Sequence, residues 1–122
     1  MTEPADNWHR VVARSDIPDP GAHGFQIQTD AMPVFGFIVH RQGQVYGYEN
    51  VCPHAGRMLN HGPHRFLTPD NSLIVCAAHG AVFDIGSGEC AAGPCMGESL
   101  RPMALRETDG MIEVDLSGVA WL

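Results

Sequence analysis

Residues 76–94, CAAHGAVFDIGSGECAAGP, decide the fold. The stretch opens with Cys76 and His79, so one thiolate and one imidazole share a tight turn and face the same point. Gly80 follows at once, and a residue without a Cβ lets backbone turn sharply or approach a bound group closely. Ala81 to Ile85 is a short apolar run ending at Gly86-Ser87-Gly88, the pattern of a strand closed by a turn. Gly93-Pro94 then reads as a rigid loop. Upstream, Cys52-Pro53-His54 pairs the same two donors at a spacing of two. Twenty-one residues, Ala55 to Val75, separate the pairs.

Two such turns supply two sulfurs and two nitrogens. That set satisfies a tetrahedral zinc ion. It equally satisfies a [2Fe–2S] cluster with two Cys on one iron and two His on the other. Zinc knuckles more often pair Cys with Cys and His with His. The order of the motifs resembles the Rieske [2Fe–2S] domain family. Cys52-Pro53-His54-Ala55-Gly56 is similar to that family's first ligand loop, Cys76 to Cys90 to its second, and Gly93-Pro94 to its shielding Pro loop. The resemblance runs from about Trp8 to Leu116. It implies a Rieske-type [2Fe–2S] cluster held by Cys52, His54, Cys76 and His79, in a single domain spanning 1–122. It also implies a one-electron carrier, a Rieske-type ferredoxin, between a flavin-dependent reductase and a terminal oxygenase or similar acceptor. Such a carrier is not itself an enzyme. Two other readings compete: a small iron–sulfur subunit of a larger oxidoreductase, such as a nitrite-reductase-like complex, and a zinc-binding interaction module.

The rest of the chain suits an all-β scaffold. Short apolar runs bounded by turn residues recur, and helical periodicity is hard to find. Strands are expected near Trp8–Arg14, Phe25–Thr29, Val34–His40, Val45–Tyr48, Leu73–Cys76, Ala81–Ile85, Met103–Glu107 and Met111–Asp115. Arg41-Gln42-Gly43 and Thr108-Asp109-Gly110 read as hairpin turns. With the resemblance, this becomes an antiparallel β-sandwich carrying two cluster-binding loops at one end. The interval between the ligand pairs is longer than usual for the family, and the excess, His64 to Asn71, is expected to be a surface excursion.

The 122 residues fit one domain. All seven basic residues are Arg, against fourteen acids, for a formal charge of −7. That balance argues against binding nucleic acid or an anionic membrane, which needs a basic face. No signal peptide is visible, and the longest apolar stretch falls far short of the roughly 18 residues of a spanning helix. The expectation is a cytoplasmic monomer whose Cys serve metal or redox chemistry. Residues 50–83 hold two Arg and one Asp, a net +1, which leaves −8 on the remainder. Arg57 and Arg65 are therefore candidates for docking an acidic patch on a redox partner. Cys90 and Cys95 are expected to pack as small hydrophobes. His9, His23, His40, His61 and His64 are read as bystanders.

The chain departs from the family pattern at informative places. Arg57 and Ala78 stand where the quinol-oxidising members carry an extra disulfide, and Ala81 and Phe83 replace their hydroxyl donors. Fewer donors to the sulfurs leave the reduced, more negative cluster less stabilised. The midpoint potential is therefore expected in the lower part of the Rieske range, which runs roughly from −150 to +300 mV. It is also expected to be flat between pH 6 and 7.5. Protein-film voltammetry checks both, and a potential near the top of the range would refute the argument.

Overall fold

The computed structural model describes residues 8–30, 32–53, 58–77 and 80–117. Two tight hairpins set much of the register. Gln42 and Gly43 both take positive φ, 54° and 77°, and join the paired residues Arg41 and Gln44. Asp109 and Gly110 repeat this at 53° and 78° between Thr108 and Met111. Two consecutive positive φ values match the right-handed twist of the flanking strands. The Asp19 carboxylate accepts the N–H groups of Gln42 and Gly43, each at 2.8 Å, and fastens the first turn.

Among the described residues ten strands result: β1 (Trp8–Ala13), β2 (Gly21–Ile27), β3 (Val34–Arg41), β4 (Gln44–Glu49), β5 (Ile74–Val75), β6 (Val82–Phe83), β7 (Cys90–Ala92), β8 (Pro102–Met103), β9 (Leu105–Thr108) and β10 (Met111–Asp115). They form three antiparallel sheets, ordered β1-β10-β9, β2-β3-β4-β8 and β5-β6-β7. A single 3-10 turn, Arg14–Asp16, is the only helical element among the described residues. The all-β expectation holds.

The four-stranded sheet lies between the other two, because β3 is buried on both faces. Ile38 and Val34 join Val12, Ile112 and Val114 in one apolar core. Phe37 and Val39 point the other way, into a second core with Ile74, Phe83 and the four cysteines. Side chains alternate across a strand, so one strand serves both cores. A strand with two buried faces reads as a nearly continuous apolar run, as Val34 to Val39 does.

Three details differ from the sequence expectation. β2 begins at Gly21, four residues early, and its glycines are there for space: a Cβ on Gly24 would come within 3.0 Å of the Phe66 ring. The 103–107 segment divides at Ala104 into β8 and β9, which belong to different sheets. Cys90–Ala92, absent from the expected strands, pairs with β6 as β7.

The excursion also proves to be more than surface. Asp70 ties its own turn by accepting from Thr68 Oγ1 and Ser72 Oγ, both at 2.7 Å, and those bonds bring its carboxyl down to about 2. Val75 N–H donates to Phe66 O at 2.9 Å. Phe66 is fully buried and stacks on Phe37 of the middle sheet at 4.3 Å and 9°. Phe66→Ala is expected to cost about 3–5 kcal/mol, as truncation of a buried aromatic does. Denaturant unfolding measures this, and a loss below about 1 kcal/mol would show that the ring does not pin the excursion.

Candidate metal centre

Three loops converge at the β7 and β4 ends of the second core, and each is closed by its own hydrogen bonds. The first leaves β4 after Glu49. Buried Asn50 spans its mouth: Oδ1 accepts from the Leu59 N–H at 2.8 Å and Nδ2 donates to Asn60 Oδ1 at 3.0 Å. Asn50 N–H donates back to Phe35 O at 2.9 Å, so the loop's root is fixed to β3. The second loop leaves β5. Cys76 N–H donates to Ala81 O at 2.8 Å and Gly80 N–H to Cys76 O at 2.9 Å. Gly80 takes φ +73°, a left-handed value that a residue with a Cβ resists. The third loop follows β7, where Cys90 N–H bonds Glu98 O and Glu98 N–H bonds Cys95 O, both at 2.9 Å.

The loops are also tied to one another. Ala77 N–H donates to Leu59 O at 2.9 Å, joining the second to the first. Gly93 packs against the second loop so closely that a Cβ would lie 2.8 Å from Ala81 Cα. Cys95 Sγ stands 3.9 Å from Cys52 Sγ, joining the third to the first.

Cys52 and Cys76, the two expected sulfur donors, are 1% and 0% exposed and share one apolar core. His54 and His79, with Arg57 and Ala78, lie outside the described residues. No disulfide joins the four cysteines. Cys90 donates to Ala92 O at 3.3 Å within its own strand. A buried thiolate is costly unless it is coordinated. Two shielded thiols on glycine-containing loops therefore suit the sulfur side of a [2Fe–2S] centre. Tyr48 anchors the turn behind the second loop, donating to Ile85 O at 2.6 Å, and burial pushes its phenol up to about 12.

Comparison with known proteins agrees with this geometry. The Rieske [2Fe-2S] domain model matches residues 7–112. The chain belongs to the Rieske [2Fe-2S] domain family. The ferredoxin CarAc of Metapseudomonas resinovorans is 34% identical over 89 residues, covering 72% of this chain and 75% of that protein. The ferredoxin of carbazole 1,9a-dioxygenase from Nocardioides aromaticivorans IC177 superposes with a TM-score of 0.68 at 22% identity, covering 89% of this chain and 97% of that one. A chain of the complex of reduced oxygenase and oxidized ferredoxin in carbazole 1,9a-dioxygenase gives 0.71 at 24%, covering 91% and 94%. At those identities the two structures speak for the fold. This Rieske chain is a ferredoxin-type electron carrier, not an enzyme, and its cofactor is a Rieske [2Fe–2S] cluster. Among the described residues no helix is long and apolar enough to cross a membrane.

Cys90 and Cys95 are buried and unbridged, as expected, whereas sequence reasoning missed Asn50 and the contacts of three histidines. His40 Nδ1 lies 2.9 Å from Ile17 O. His64 Nδ1 accepts from Gly24 N–H at 3.0 Å, and its ring stacks on His23 at 4.3 Å. His64 borders a cleft with His61 and Arg65, and the cleft contains neither Cys52 nor Cys76. Among the described residues no group of three His, Cys, Asp or Glu gathers as a further metal site.

His23 sits below the ordinary histidine value, first through burial, then through the charge of His64, with Asp16 opposing. Its folded pKa therefore lies below the unfolded one, and on acidification the unfolded chain takes up its proton first. The stability linked to His23 is intact above about pH 6.5 and drains away as pH falls through that value. The thermal midpoint is expected to drop between pH 7.5 and 5, with a flatter profile in His23→Phe, which keeps the stacked ring. Identical slopes in the two proteins would contradict this assignment.

Proposed function

We propose that Cys52 and Cys76 hold one iron of the cluster and His54 and His79 the other, within one domain spanning 1–122. The observation that carries this reading is the pair of buried sulfurs on two loops joined through Ala77 and Leu59. The cluster takes up and releases one electron at a time. The chain's own part is to bind it and to exclude water from its cysteine sulfurs through the apolar core. In this reading the carrier works as a monomer in the cytoplasm, without nucleic acid or membrane. It takes electrons from a flavin-dependent reductase and gives them to a terminal oxygenase.

The oxygenase is supported by the ferredoxin relatives, one of whose folds recurs in a complex with an oxygenase. The surface supports a protein acceptor as well. Val51, Met58 and Met96, exposed large apolar residues, lie on the first and third loops, and Met32 is in the β2–β3 connection at the same end of the middle sheet. Apolar side chains gathered at one end mark an interaction face.

Anaerobically purified protein is expected to be red-brown and to give a Rieske-type EPR signal on reduction. Cys76→Ser and His79→Ala are each expected to abolish the signal and the iron content. Colourless protein carrying zinc would overturn the reading, and so would iron retained in both variants.

A further inference from the structure

The third loop puts a single side chain into the interior. Residues 91–94 and 96–99 are all exposed, and Cys95 between them is 1% exposed. The loop is built to hold it there. Glu98 N–H closes on Cys95 O, Cys90 N–H closes on Glu98 O, and Gly93, at φ +105°, comes nearer to Ala81 than any residue with a Cβ could. The thiol that this arrangement buries faces Cys52, with 3.9 Å between the sulfurs.

The direction of that contact follows from chemistry. A metal-bound cysteine is a thiolate and has no proton to give. A thiol is a weak donor as well as a weak acceptor. With Cys52 as a ligand, only Cys95 can donate. We propose that Cys95 is a tuning residue of the redox centre: its S–H donates to the Cys52 thiolate and stabilises the reduced state. The inference rests on the proposed role of Cys52 as a ligand.

Reduction adds negative charge that spreads onto the ligand sulfurs, so a donor there favours the reduced form. The flanking side chains of the second loop make this donor matter more, because Ala81 and Phe83 carry no hydroxyl. Burial adds to the effect, since water does not compete for a sulfur that is 1% exposed.

The test is the midpoint potential of wild type, Cys95→Ala and Cys95→Ser, each with iron content and EPR spectrum recorded. Cys95→Ala is expected to keep the cluster and to lose about three- to tenfold in the reduction equilibrium. For a one-electron couple this is a fall of about 28–59 mV, at 59 mV per tenfold. Cys95→Ser keeps a donor and is expected between the two. An unmoved potential in cluster-loaded Cys95→Ala overturns the proposal while leaving the carrier reading intact. A wild type without iron overturns the carrier reading itself. A second measurement needs no variant at Cys95. The reduced-minus-oxidised infrared difference spectrum of the wild type is expected to show one S–H stretching band moving to lower wavenumber. The same band is expected to persist in Cys90→Ala. A silent S–H region also overturns the proposal.

Discussion

Everything in this molecule depends on β3 being buried on both faces. A strand at a solvent boundary serves one core, and its polar face is free to vary. Val34 to Val39 has no such face, and its alternate side chains supply two separate cores. One core staples the β1-β10-β9 sheet to the middle sheet and contains no cysteine. The other is closed by short strands and loops, and all four cysteines lie in it. Stability and cofactor chemistry are thereby placed on opposite sides of one strand. On the cofactor side Phe37 carries Phe66 on its ring, and with it the root of the excursion between the ligand pairs.

The second core faces a problem that the first does not. β5 and β6 have two residues each and β7 three, too few to hold a site by ladder hydrogen bonds alone. The loops compensate by bonding to one another. Asn50 replaces a missing ladder partner for Leu59, Leu59 then accepts from Ala77, and Gly93 lies against Ala81. A buried amide that satisfies the buried N–H of Leu59 is worth more here than in water, because that N–H has no solvent to turn to. The loops are thus rigid through mutual contact, which is what a site that must hold its geometry in two charge states requires.

What could be read in the sequence follows from the range of the interactions. The Cys–His pairs and the Gln42-Gly43 and Asp109-Gly110 turns are local, and their chemistry is complete within a few residues. Nothing local marks Asn50, whose partners lie nine and ten residues on and are a backbone N–H and another amide. Cys95 is 43 residues from the sulfur it touches and looks like any small buried residue. Gly21 and Gly24 resemble turn residues until Pro18 and the Phe66 ring are seen in the space their side chains would fill. The split at Ala104 is equally invisible, since both halves are extended and only the identity of their neighbours separates them. Packing across the sheet, not propensity, decided each of these.

The net charge of −7 can now be seen residue by residue. Glu113 is buried and takes Arg106 at 2.6 Å and Arg10 at 3.3 Å, and Arg106 also lies 4.3 Å over the Trp8 ring. Arg14 engages Glu107 at 2.9 Å and the Gly43 carbonyl. Arg41 reaches Ser72 O at 3.4 Å. Arg10, Arg14 and Arg106 thus hold the β1-β10-β9 sheet together through Glu113 and Glu107. Arg65, on the excursion, has no carboxylate within ion-pair distance among the described residues. A partner approaching the first and third loops meets the exposed Val51, Met58 and Met96. Apolar contact then holds the complex without a desolvated ion pair, which suits a carrier that must leave as readily as it binds.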